Sequence, residues 1–129
     1  MKKLILLTLV AFCFTVLGCS KGLTEPTSLK NSHFGVAAMW MVKPNYESCY
    51  SLNQMQVWQK VPNGYLLSFD SPYRDESQPV MLITDESYSQ GHVFWNKYAY
   101  YAGNVTYTTM TGFEKTVQAY RIYHGVIIN

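Results

Sequence analysis

The sequence predicts an all-β domain, a small antiparallel barrel or sandwich of about five to seven strands, carried behind a signal peptide and a flexible tether. Three observations predict it. All eleven tyrosines of the 129-residue chain fall between Tyr46 and Tyr123, in a region also rich in Val, Ile, Thr, Trp and Phe. These side chains suit a pleated, half-buried surface. Turn residues interrupt that region at short intervals, as they do between the strands of barrels and sandwiches. The start of the chain has a separate pattern of charge and hydropathy and does not belong to the domain.

That start has three parts. Lys2 and Lys3 precede an uncharged, mostly apolar run over 4–17, which ends in Gly18 and Cys19. This is the layout of a secretory signal. The run is about 14 residues, whereas a membrane-spanning helix needs about 20. Polar residues follow at once with Ser20, Lys21 and Thr24. Residues 1–18 are therefore expected to be removed as a signal peptide.

The junction Val16-Leu17-Gly18-Cys19 resembles the bacterial lipobox, with an aliphatic residue three before the cysteine and a small residue just before it. The resemblance implies a bacterial lipoprotein. In that reading the Cys19 thiol takes a diacylglycerol, the mature chain begins at Cys19, and palmitate-like acyl chains tie it to a membrane. Two or more chains make such anchoring stable where one does not. In lipoproteins a Ser after the cysteine, here Ser20, implies the outer membrane, where Asp would imply inner-membrane retention. The expected location is the cell outer membrane, facing the periplasm.

Residues 19–33 read as the lipidated cysteine and its linker, being rich in Ser, Thr, Lys, Asn and Gly, with Pro26. Fully extended, such a tether spans on the order of 45 Å. The folded domain is assigned to 34–129. Without the 18-residue leader, 111 of the 129 residues remain, which is one domain by size.

Within it, 34–42 is apolar and reads as an opening strand or a helical turn, ended by Pro44-Asn45. Met55, Val57, Gln59 and Val61 alternate with Gln56, Trp58 and Lys60, a strand pattern. Pro62-Asn63-Gly64 makes a tight turn, and 65–69 returns as the partner strand. A polar loop covers 70–79, a short strand 80–84 and a second polar loop 85–91. A long aromatic strand is expected over 92–101, with a bend at Gly103-Asn104. Alternating strands follow over 105–110 and 116–123, joined by a turn at 111–115. The apolar tail Val126-Ile127-Ile128 reads as an edge strand or a plug.

A second resemblance covers about half the chain. The stretch 57–67 looks like the first hairpin of a small bacterial Src-homology-three-like barrel. Tyr98 to Gly103, Tyr107 to Gly112 and Lys115 to Tyr120 are similar to its closing strands. The resemblance implies a fold and no activity.

Composition narrows the function. Ten basic residues face eight acidic ones, but two of the ten, Lys2 and Lys3, lie in the leader. The mature part is near neutral, which excludes the basic footprint of a nucleic-acid binder. Of three cysteines, Cys13 leaves with the leader and Cys19 is acylated. Cys49 is left single, either as a buried thiol or as a bridge to a second chain.

His33, His92 and His124 lie far apart, with no metal-ligand spacing. No nucleophile elbow or phosphate loop occurs. Asp75-Glu76 and Asp85-Glu86 are adjacent carboxylates that read as solvated loop charges rather than a sugar-cleaving pair. No cofactor and no metal are expected.

The tyrosine surplus stands above background. Tyr98, Tyr100, Tyr101 and Tyr107 form a candidate binding surface, because tyrosine offers rigid area with a polar tip. Strand alternation puts Tyr98 and Tyr100 on one side and Tyr101 on the other. The competing reading is cross-strand pairing within a thin sheet.

The expected function is a non-enzymatic binding or structural module of the envelope, anchored by its lipid and contacting an envelope protein. The alternative is an inhibitor or exclusion factor against a wall hydrolase, an incoming phage or a conjugating plasmid. An enzyme acting on wall sugars ranks third, since carboxylates are scarce.

Overall fold

The computed structural model describes residues 24–69 and 79–129. The described residues form eight strands and no α-helix. These are β1 (Ser28–Gly35), β2 (Ser48–Ser51), β3 (Met55–Val61), β4 (Gly64–Phe69), β5 (Val80–Ile83), β6 (Tyr98–Thr108), β7 (Glu114–Tyr123) and β8 (Val126–Ile128). A 3-10 turn at Val36–Ala38 follows β1. The fold is all-β.

All eight strands join one sheet in the order β3-β4-β5-β7-β6-β2-β1-β8. The sheet holds one strand more than the upper end of the expected range. It is mixed: β5 runs parallel to β7, and β1 runs parallel to both β2 and β8. β3 and β8 lie at opposite ends of the order and do not pair with each other, so the sheet is not a closed barrel.

The β3–β4 hairpin forms as its alternation predicts. Val61 pairs with Gly64 across a two-residue turn in which Asn63 takes φ 71°. Asn tolerates this left-handed backbone better than most residues because its short polar side chain bonds locally. The tail forms an edge strand rather than a plug.

Three segments depart from the sequence expectation. β1 begins at Ser28, inside the stretch assigned to the linker. Its partners are distant in sequence: Ser28, Leu29 and Lys30 pair with Val126, Ile127 and Ile128 at the far end of the chain. Local composition carries no trace of such a partner, so a polar segment with Pro26 in front of it reads as tether. The second difference is the expected long strand over 92–101. Residues 92–97 form a loop that touches β3 through a Val93–Gln56 bridge, and β6 starts at Tyr98. Third, the chain does not end a strand at Gly103-Asn104. β6 runs through it with a bulge, marked by a register shift between Tyr101 and Asn104. Gly103 absorbs the bulge at φ 100°, which costs glycine little.

The strands bury both faces of the sheet. On one face, here called inner, Tyr50, Leu52, Tyr65, Leu67, Val80, Leu82, Tyr120 and Ile122 pack with Val36, Met39 and Phe94. On the opposite, outer face there are two smaller clusters. Val61, Leu66, Met81, Val117 and Ala119 form one, and Leu29, Cys49, Tyr100 and Tyr123 form the other. Successive residues of β4 and β5 serve opposite faces, which explains why these strands read as continuous apolar runs rather than alternating ones. β7 lies between β5 and β6 and carries residues of all three clusters.

Candidate functional site

Cys19 lies outside the described residues. The four singled-out tyrosines do not form one strip. Tyr98 and Tyr100 pack into the outer cluster with Leu29, Cys49 and Tyr123. Tyr107 stands on the same face, beside the other outer cluster. Tyr101 points to the inner face, against Tyr120 and the exposed Tyr46, with ring centroids 5.7 and 5.0 Å away. Its hydroxyl donates to Asn104 Oδ1 at 2.7 Å. The strands and the bulge after Tyr101 decide this division, because the register of β6 on β7 resumes at Asn104 with Gln118.

Hydroxyl partners separate the buried tyrosines. Tyr50 OH accepts from Asn45 N at 2.8 Å, and Tyr65 OH accepts from Tyr88 N at 3.0 Å. Tyr120 OH donates to Gln118 Oε1 at 2.8 Å, and Tyr123 OH donates to Val126 O at 2.7 Å. Tyr100 is 8 % exposed, and its hydroxyl has no partner among the described residues.

Tyr100 lines an open groove of about 1380 Å³ on the outer face. Its apolar walls come from Val61, Met81, Ile83, Val105 and Tyr107. Arg121, paired across the strands with Tyr100, stands between the two outer clusters and lines the same groove. It is half-buried and makes no salt bridge and donates no side-chain hydrogen bond among the described residues. The other charges around the groove are held or solvated. Glu25 Oε1 lies 3.1 Å from His124 Nδ1, and its second oxygen accepts from the His124 backbone N–H. Lys60 Nζ sits 4.8 Å from the centroid of the Tyr65 ring. Glu86 accepts from Tyr88 OH at 2.5 Å. Asp85 is exposed at the rim.

These contacts leave a signature in proton affinity. Burial pushes the Tyr100 hydroxyl above its ordinary value, while the Arg121 charge pulls it the other way and Glu25 adds to the rise. For Glu25, partial burial raises the carboxyl, but the bonds and charge from His124 outweigh it and hold it below its ordinary value. Tyr88 is pushed well up, first by burial and then by the Glu86 carboxylate it bonds.

The remaining sequence candidates scatter. Asp85 and Glu86 occupy an exposed turn in which Glu86 N donates to Thr84 Oγ1 at 3.0 Å. Asp75 and Glu76 lie outside the described residues. His33 is exposed at φ 68°, His92 stacks on Tyr88 and Phe94, and His124 pairs with Glu25. No group of three metal-ligating side chains occurs among the described residues. Cys49 is free and fully buried, and burial raises its thiol above the ordinary value.

Arg121 escaped the sequence reading. Its signal was present, since it occupies the same strand phase as Val117, Ala119 and Tyr123 and breaks an apolar face with a charge. Comparisons with protein-family models, with curated proteins and with solved structures found no match.

Proposed function

We propose that the chain is an outer-membrane lipoprotein, acylated at Cys19, that serves as a non-enzymatic binding module of the cell envelope. Its outer-face groove is the binding surface. The observation that carries this reading is the pair Arg121 and Tyr100. Both are oriented by β6 and β7 and both lack a protein partner among the described residues, beside an apolar wall formed by Val61, Met81, Ile83, Val105 and Tyr107. Groups of this kind are what a binding site keeps in reserve for a ligand. Tyr98 and Tyr107 flank it on the same face, whereas Tyr101 belongs to the inner face.

The anchor implies a geometry. Glu25 is already clasped by His124, so five residues, 20–24, separate it from Cys19. That contour spans roughly 20 Å, well short of the 45 Å that a tether reaching residue 33 would give. The domain then works close to the membrane surface.

Two linked experiments test the reading. Cys19→Ala should leave a signal-bearing precursor without acyl chains, seen by mass spectrometry. Normal processing with release from the membrane would refute the anchor. In-vivo crosslinking of the wild-type chain should capture one dominant envelope partner, lost in Arg121→Gln. Capture unaffected by Arg121→Gln would remove the groove from the proposal.

A further inference from the structure

We infer that the groove binds an acyl chain with a single carboxylate head, the head on Arg121 and Tyr100 and the chain along the outer face. The inference rests on the groove being a binding surface, and it names the ligand class.

The head group follows from charge and geometry. The guanidinium of Arg121 carries N–H donors in a planar fork that matches a carboxylate. Tyr100 OH adds one more donor beside it, and neither group is engaged among the described residues. Two cations, Arg121 and Lys60, line the groove against three carboxylates, and Lys60 Nζ already lies over the Tyr65 ring, so Arg121 is left to neutralise one negative charge. A phosphate head carries up to about two charges at neutral pH. The extra charge would stand unbalanced near Glu25, Asp85 and Glu86, which line the same groove. A neutral head would leave Arg121 unpaired, and a cationic head would be repelled by it.

The chain follows from the walls. From the Tyr100–Arg121 pair to the Tyr107–Lys115 pair, β7 runs six residues. At about 3.3 Å per residue this is roughly 20 Å. Along it the outer face presents Val105, Tyr107, Met81, Ile83 and Val61 to the groove. Arg121 and Tyr100 stand at one end of this apolar wall, which is the pattern that suits a linear amphiphile.

The test is photolabelling of the full chain in phosphatidylcholine nanodiscs with a diazirine-bearing palmitate, mapped by mass spectrometry. Adducts are expected on the peptides holding Met81, Ile83 and Tyr107. Excess palmitate should compete them away, while hexadecanol and hexadecyl phosphate should compete at least tenfold less well. Arg121→Gln should reduce labelling tenfold or more and Tyr100→Phe several-fold. Arg121→Lys, which keeps the charge and loses the fork, should fall between, and all three variants should keep the wild-type circular dichroism spectrum.

Equal competition by hexadecanol, unchanged labelling in folded Arg121→Gln, or adducts away from the outer face would each overturn the inference. Stronger competition by hexadecyl phosphate would overturn the carboxylate assignment. If labelling fails while envelope crosslinking still depends on Arg121, the ligand class is wrong and the binding-module reading stands. If both fail, both are wrong.

Discussion

Replacing Gly64 by Ala tests how tightly β4 is laid against β5. Gly64 opens β4 and pairs with Ile83 at the end of β5. A Cβ built there lies 2.0 Å from the Leu82 carbonyl oxygen, 3.0 Å from its carbon and 3.1 Å from Ile83 Cα. All three are backbone atoms, so no side chain can swing aside to make room. Reaching even the 3.0 Å limit within which real Cβ atoms essentially never approach needs the strands to part by about 1 Å. That displacement acts on the Gly64–Ile83 and Tyr65–Leu82 pairs and on Leu66 and Leu82, both fully buried. Overpacking of this kind costs about 1–3 kcal/mol, and each weakened backbone bond adds about 1 kcal/mol. A total near 3 kcal/mol lowers the Tm by roughly 12–24 °C for a domain of this size. Thermal unfolding followed by circular dichroism measures it. Gly112→Ala is the control, because nothing lies within 4 Å of its Cβ while its φ is 92°. That variant pays backbone strain alone, about 1 kcal/mol or roughly 4–8 °C. A Gly64→Ala shift no larger than the control's would refute the argument from strand crowding.

Two further outcomes follow from the buried and clasped groups. Cys49, fully buried and with its thiol pushed up by burial, should react with iodoacetamide at least about a hundredfold more slowly in the native chain than in denaturant. Rapid native labelling, or a disulfide-linked dimer that forms without unfolding, would show that the thiol reaches solvent. Glu25 is held below its ordinary value of 4.5, so its contact with His124 contributes stability above that value and loses it as pH falls through the lower folded value. The urea midpoint of the wild type should therefore exceed that of Glu25→Gln at neutral pH, with the gap closing in the acid range below 4.5. A gap that persists in strong acid would assign the Glu25 effect to packing rather than charge.

The candidate site was legible in part. The tyrosine surplus pointed to β6, and alternation correctly set Tyr98 and Tyr100 apart from Tyr101. Arg121 was visible as a charge in an apolar phase, but its meaning depended on Tyr100 across the strands and on Met81 and Ile83 from β5. Those neighbours are set by pairings that no local window contains. The hydroxyl partners were equally hidden. Tyr120 and Tyr100 look alike in sequence, yet one bonds Gln118 and the other opens on a groove.

By itself the sequence determined what depends on near neighbours. The all-β class, the β3–β4 hairpin around Asn63 and the strand of 116–123 follow from side-chain periodicity and turn chemistry, which act over a few residues. Tertiary structure decided the rest: the parallel pairing of β1 with β8, the inclusion of Ser28 to His33 in the sheet, the bulge at Gly103 and the two-faced core. Each of these is a choice of long-range partner. Pairing energy is gained between strands up to a hundred or so residues apart, and polar segments such as Ser28–Gly35 become strands because an edge is waiting for them, not because their own residues demand it.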